Sequence, residues 1–123
     1  MKKLVILAFS LACLASCKKD KGDNEEPTIN VTSPLGNQQI TGGQTVSVNA
    51  TISDNDELHE IHLFVVNTTT DAEVVHYANH VDVKTFDLSQ TFVATSGVTY
   101  EIKIEAEDHA GNHAEVEFTV HAN

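Results

Sequence analysis

The sequence predicts an all-β fold, a two-layer antiparallel sandwich of about seven strands, on three observations. Apolar and polar residues alternate with period two along most of the chain beyond Pro27. Clusters of turn-forming residues interrupt that alternation about every 8–12 residues, as sandwich folds require. No window carries the 3.6-residue apolar period of a long amphipathic helix.

The first segment stands outside this pattern. "MKKLVILAFSLACLASC" opens with Lys2 and Lys3, continues as an apolar run from Leu4 to Leu14, and ends in small residues before Cys17. The run is too short to span a bilayer core of about 30 Å as a helix, and it has the length of the apolar part of a secretory signal. Leu14-Ala15-Ser16-Cys17 resembles the bacterial lipobox. That resemblance implies a lipoprotein signal peptide over residues 1–16, lipidation of Cys17 and cleavage before it. Several acyl chains, each contributing about 0.8 kcal/mol per buried methylene, anchor a protein to a membrane without a spanning helix.

Residues 17–26 follow as a charged segment without apolar periodicity, the composition of a flexible tether. An acidic stretch just after the lipidated cysteine resembles the surface-export signals of Bacteroidetes lipoproteins. The expected location is the cell envelope at the outer membrane, with surface and periplasm both open. With Cys13 in the signal and Cys17 carrying lipid, no thiol remains for a disulfide, a zinc thiolate or a nucleophile.

The folded domain is expected over residues 27–123. A first weak strand lies near Ile29. In Thr45–Ser53, Val46, Val48, Ala50 and Ile52 share one face. Ile61, Leu63 and Val65 do so in Glu60–Asn67, which leaves Phe64 and Val66 outward on an otherwise polar face. Weaker strands fit Glu73–Ala78 and Lys84–Phe92. Tyr100, Ile102, Ile104 and Ala106 alternate with charged residues in Val98–Glu107, as do Val116, Phe118 and Val120 in His113–His121. Turns fall at Pro34-Leu35-Gly36-Asn37, Gly42-Gly43, Ser53-Asp54-Asn55-Asp56 and Ser96-Gly97. "DHAGN" predicts a three-residue hairpin loop, His109-Ala110-Gly111, with Gly111 in the left-handed conformation and Asp108 facing Asn112. This register sets Lys103 opposite Glu117 and Glu107 opposite His113, whereas a shift by one residue on each strand pairs Glu105 with Glu117 and Glu107 with Glu115.

"ISDNDELHEIHLFV" and "GVTYEIKIEAEDHAGN" resemble two segments of bacterial Ig-like domains, which read Asp-Asn before one central strand and Gly-x-x-Tyr through Asp-x-x-Gly-Asn around another. With the lipobox and acidic tether, the chain resembles small Ig-like lipoproteins of Bacteroidetes. The resemblance implies an Ig-like sandwich, membrane anchoring, and a corner role for Tyr100, its hydroxyl bonded to main chain upstream. It implies no activity.

Charge narrows the function further. Beyond Pro27, Lys84 and Lys103 are the only Lys or Arg against fourteen Asp and Glu, within a chain of net charge −11. Such a surface repels nucleic acid and attracts cations. No Ser-His-Asp order and no carboxylate pair in a cleft points to catalysis, so the chain is not expected to be an enzyme. The leading expectation is a lipid-anchored module that binds a protein or glycan partner. The alternative is a divalent-cation-binding lipoprotein. Its candidate ligands for zinc are His62, Glu105, Glu107 and His113, in a row with Glu60 and Glu115 on the outer face of three adjacent strands. A calcium-type cluster of Asp54, Asp56, Asp108 and Asn112, with Glu57, gathers at the loop end. Neither an HExxH motif nor an EF-hand loop is present, and charged outer faces are ordinary in acidic sheets. No cofactor is required by either reading, and His76 and His80 are expected as plain surface residues.

Overall fold

The computed structural model describes residues 22–123. The lipobox and Cys17 lie outside the described residues. Six strands form the domain: β1 (Thr28–Ser33), β2 (Gln39–Ile40), β3 (Thr45–Asn67), β4 (Ala72–Val93), β5 (Thr99–Asp108) and β6 (His113–Ala122). Two of them are long enough to serve both layers. The first half of β3 pairs antiparallel with β1 and with the second half of β4. Its second half pairs with the first half of β4 on one side and with β5 on the other. β6 follows β5 antiparallel, and β2 closes that layer in parallel with the end of β6.

Every strand expected from the alternation is extended, but the strand count comes about differently. Thr45–Ser53 runs on into Glu60–Asn67, and Glu73–Ala78 into Lys84–Phe92. The expected turn at Ser53-Asp54-Asn55-Asp56 is instead a wide bulge. Between the pairs Ser53↔Thr85 and Leu58↔Val83, β3 carries Asp54 to Glu57 while β4 carries Lys84 alone. Asp54 Oδ2 accepts the Asp56 N–H at 2.9 Å, a local side-chain turn within the bulge, and pairing with β4 resumes at Leu58. The Lys84 ammonium donates to the Asn55 carbonyl across the bulge.

The core is built from the faces that alternation marks. Val48, Ile52, Ile61, Leu63, Tyr100, Ile102 and Ile104 are buried in one cluster with Leu58, Leu88 and Phe92. Tyr100 packs its ring against Phe92, and its hydroxyl accepts the Thr95 N–H at 2.9 Å. Val116 and Phe118, expected in the core, are only half-buried. Full burial on β6 begins at Val120 and Ala122, where β2 supplies the outer neighbour that the earlier part of β6 lacks.

Candidate functional site

The loop end is built by three chain segments. Gly111 takes φ +86°, its N–H donates to the Asp108 carbonyl at 3.2 Å, and the Asp108 N–H donates to the Asn112 carbonyl at 3.1 Å. The three-residue loop His109-Ala110-Gly111 therefore forms as its residues dictate. β5 and β6 take the expected register, Lys103↔Glu117 and Glu107↔His113, which also sets Glu105 against Glu115.

Alternation along β5 puts Asp108 on the same face as Tyr100, Ile102, Ile104 and Ala106, and it is 1 % exposed. Asn112 satisfies it twice, N–H to Oδ1 at 2.8 Å and Nδ2 to Oδ2 at 2.6 Å. Asp54 arrives from the bulge of β3. The third carboxylate belongs to Asp23, which lies in the segment that composition marks as tether yet is 8 % exposed. Its Oδ1 accepts Asn55 Nδ2 at 2.9 Å and the Glu25 N–H at 3.0 Å. Asn112 Nδ2 reaches the Asp23 carbonyl at 3.4 Å.

Carboxylate oxygens of Asp23, Asp54 and Asp108 lie within 4.8 Å of one another. Asp23 Oδ2 and Asp54 Oδ1 are buried without a hydrogen-bond partner. The hydrogen bond from Asn55, then that from the Glu25 main chain, hold the Asp23 carboxyl below its ordinary value against the opposing effect of burial. Three carboxylates this close, with two buried oxygens unanswered, carry a cost that a bound cation would offset. Of the calcium-type cluster read from the sequence, Asp54 and Asp108 meet here, and Asn112 braces Asp108. Asp56 is exposed on the rim of a hollow of ≈ 490 Å³ lined also by Gly22, Asp23, Asn55, His109 and Ala110.

The outer-face row is arranged differently. Glu60, His62, Glu105, Glu107 and His113 line one shallow depression of ≈ 100 Å³. His62 Nε2 lies 3.1 Å from Glu60 Oε1 there, and Lys103 Nζ, from outside the lining, lies 2.8 Å from Glu105 Oε1. The hydrogen bond from Lys103 is the main cause of a lowered Glu105 pKa, and the same bond raises that of Lys103. The ligand atoms that converge are those of Glu105, His113 and Glu115, without His62 or Glu107. Phe64, outward on β3, is covered by the His76 ring at 4.7 Å, and the Lys103 ammonium sits 5.2 Å from its ring centre.

Asp23 is the residue that sequence reasoning missed. Its local sequence, "KGDNEEP", has the polarity of a linker, and nothing in it signals a partner in the β3 bulge.

Comparison with known proteins accords with the architecture. A family model described as bacterial Ig domain matches residues 27–92. No curated protein matches the sequence. Among solved structures, fibronectin(III)-like modules of Clostridium thermocellum CbhA are similar at 18 % identity and TM-score 0.54. That match covers 80 % of this chain and 47 % of the other, so this chain spans about half its length. A CARDB domain from Pyrococcus furiosus, in complex with di-metal ions, matches at 10 % identity and TM-score 0.48, covering 80 % of this chain and 94 % of the other. At 18 % identity the likeness to the CbhA modules is one of fold.

Proposed function

The chain belongs to the bacterial Ig domain family, and on that premise we propose that it is a non-catalytic binding module displayed at the cell envelope, its loop end fixed by calcium. In this reading lipid on Cys17 holds the module to a membrane, and the sandwich presents its acidic outer face and loops to a protein or glycan partner. No helix among the described residues is long and apolar enough to cross a membrane.

The observation that carries the calcium reading is the meeting of Asp23, Asp54 and Asp108 with two buried oxygens unpartnered. All-oxygen donors favour a hard cation, and Ca²⁺ tolerates the irregular geometry that a bulge, a hairpin and an N-terminal segment provide. Asp23 and Asp54 would direct Oδ2 and Oδ1 to the ion, with Asp108 already oriented by Asn112. Asp23 stands six residues after Cys17. A cation here would fasten the end of the tether to the domain and set how the module stands on its anchor.

Calorimetric titration of calcium into the purified full chain tests the reading. One equivalent should bind, with Kd in the region of 10⁻⁴–10⁻³ M common for extracellular modules. Asp108→Asn should abolish the heat. Absence of binding by the wild-type chain at millimolar calcium would leave an Ig-like module without a cation.

A further inference from the structure

At the same end of the domain, three histidines come together that no pattern in the sequence links. His59 follows the β3 bulge. Against β5, Leu58 pairs with Asp108 and Glu60 with Glu107, so His59 is an extra residue on its strand. Leu58 and Ile61 are both buried, and the two residues between them, His59 and Glu60, both turn outward. Such an irregularity re-aims a side chain that regular alternation would send into the core. Across the ladder, Leu58 pairs with Val83 and Glu60 with His80, which leaves Val81 and Asp82 facing His59. Val81 points inward to the core while His80 and Asp82 are exposed.

The third histidine is supplied by the hairpin loop. The His109 N–H donates to the Glu57 carbonyl at 3.1 Å, which fixes the loop against the bulge. His109 Nε2 lies 2.8 Å from Asp82 Oδ1. The His59 ring lies 4.6 Å from that of His109 and 4.5 Å from that of His80, centre to centre. His59 Nδ1 is buried and has no hydrogen-bond partner. A hydrogen bond accounts for His109 and Asp82, but it leaves His59 and its unanswered nitrogen unexplained.

We propose that His59, Asp82 and His109 form a binding site for a borderline divalent transition-metal ion, Zn²⁺ or Cu²⁺ by class, with His80 beside it as a further ligand. Their ligand atoms lie within 4.8 Å of one another. Ligands of a tetrahedral zinc ion stand about 3.4 Å apart, so rotation of exposed side chains closes the difference. Two or three imidazoles with one carboxylate select such ions over Ca²⁺, the reverse of the all-oxygen set around Asp23. The two sites are independent, and the failure of either leaves the other standing.

The test uses the purified full chain without a histidine tag. Zn²⁺ and Cu²⁺ are titrated calorimetrically, and the Cu²⁺ form is examined by electron paramagnetic resonance for coupling to imidazole nitrogen. One equivalent should bind with at least two coupled nitrogens. His59→Ala and His109→Ala should each weaken binding by more than the roughly 10–100-fold that loss of a ligand's supporting partner costs. His113→Ala and Asp23→Asn should leave affinity and spectrum unchanged. Binding that survives both His59→Ala and His109→Ala, binding that is lost with His113→Ala, or no binding at all would overturn the proposal. Should His59→Ala fail to fold, His109→Ala in the exposed loop decides alone.

Discussion

The Asp23 carboxylate accepts a 2.9 Å hydrogen bond from the side chain of Asn55, a residue 32 positions further along the chain. The bond joins the segment that precedes β1 to the bulge of β3, so the domain reaches further toward the N-terminus than its alternating pattern does. It also brings the Asp23 carboxyl to within 4.8 Å of those of Asp54 and Asp108.

The core prediction is independent of any ion. Ile104 is fully buried between the layers, so Ile104→Ala should cost about 2–5 kcal/mol in urea unfolding. A loss well below 1 kcal/mol would mean that the cluster around Ile102, Leu63 and Ile52 is not the centre of the fold.

Gly111→Ala should destabilise the domain by about 1 kcal/mol or more, equally with and without calcium. A Cβ at Gly111 meets nothing within 4 Å, so the penalty comes from φ +86° and not from crowding. Melting curves that differ only when calcium is present would make the turn depend on the ion.

The pattern of residues showed the fold's faces and hid its corners. Even-numbered residues point inward from Val46 to Ile52, and odd-numbered ones from Ile61 to Val65. Leu58, past the Asp54–Glu57 bulge, is still an even inward residue, so the change of parity comes from the register shift between Leu58 and Glu60, where His59 is the extra residue. Composition alone does not separate a turn from a bulge, because Asp and Asn cap both, so two long strands read as four. Period two tells which face a residue takes but not whether a neighbour covers it, which is why Val116 and Phe118 are only half-buried. Asp108 and Asn112 were legible because turn chemistry is local. Asp23 was not, since its partners are set by the tertiary fold. His59 was hidden for a third reason: extrapolating from Ile61 sends it into the core, and the bulge turns it out.

Acid should weaken the domain through two carboxylates. Asp23 and Glu105 both have folded pKa values below their ordinary ones, near 3.8 and 4.5. Each contributes stability that is present above its unfolded pKa and is lost as pH falls through the folded one. Melting temperature should therefore decline from about pH 5 downward. Lys103→Met removes the main cause of the Glu105 shift, so the decline should become shallower. Lys103 and Glu105 are only half-buried, so the effect should be small and should shrink in high salt. An acid limb unchanged in Lys103→Met would remove that ion pair from the explanation.

Anchoring makes a prediction in cells. Cys17→Ala should release the protein from the membrane fraction and leave an uncleaved precursor, read by fractionation and mass spectrometry. A wild-type chain that is soluble without detergent would contradict lipidation at Cys17.

The most direct test of the central claim is the melting temperature of wild type and Asp54→Asn, each with and without calcium. Asparagine keeps an acceptor for the Asp56 N–H and removes one of three facing charges. Without a divalent ion, Asp54→Asn should melt at or above the wild type, because like-charge repulsion is relieved. With calcium at a hundredfold excess over Kd, wild type should gain about 2.7 kcal/mol and overtake a variant that barely responds. The result that contradicts the account is a wild type indifferent to calcium, or an Asp54→Asn variant that gains as much.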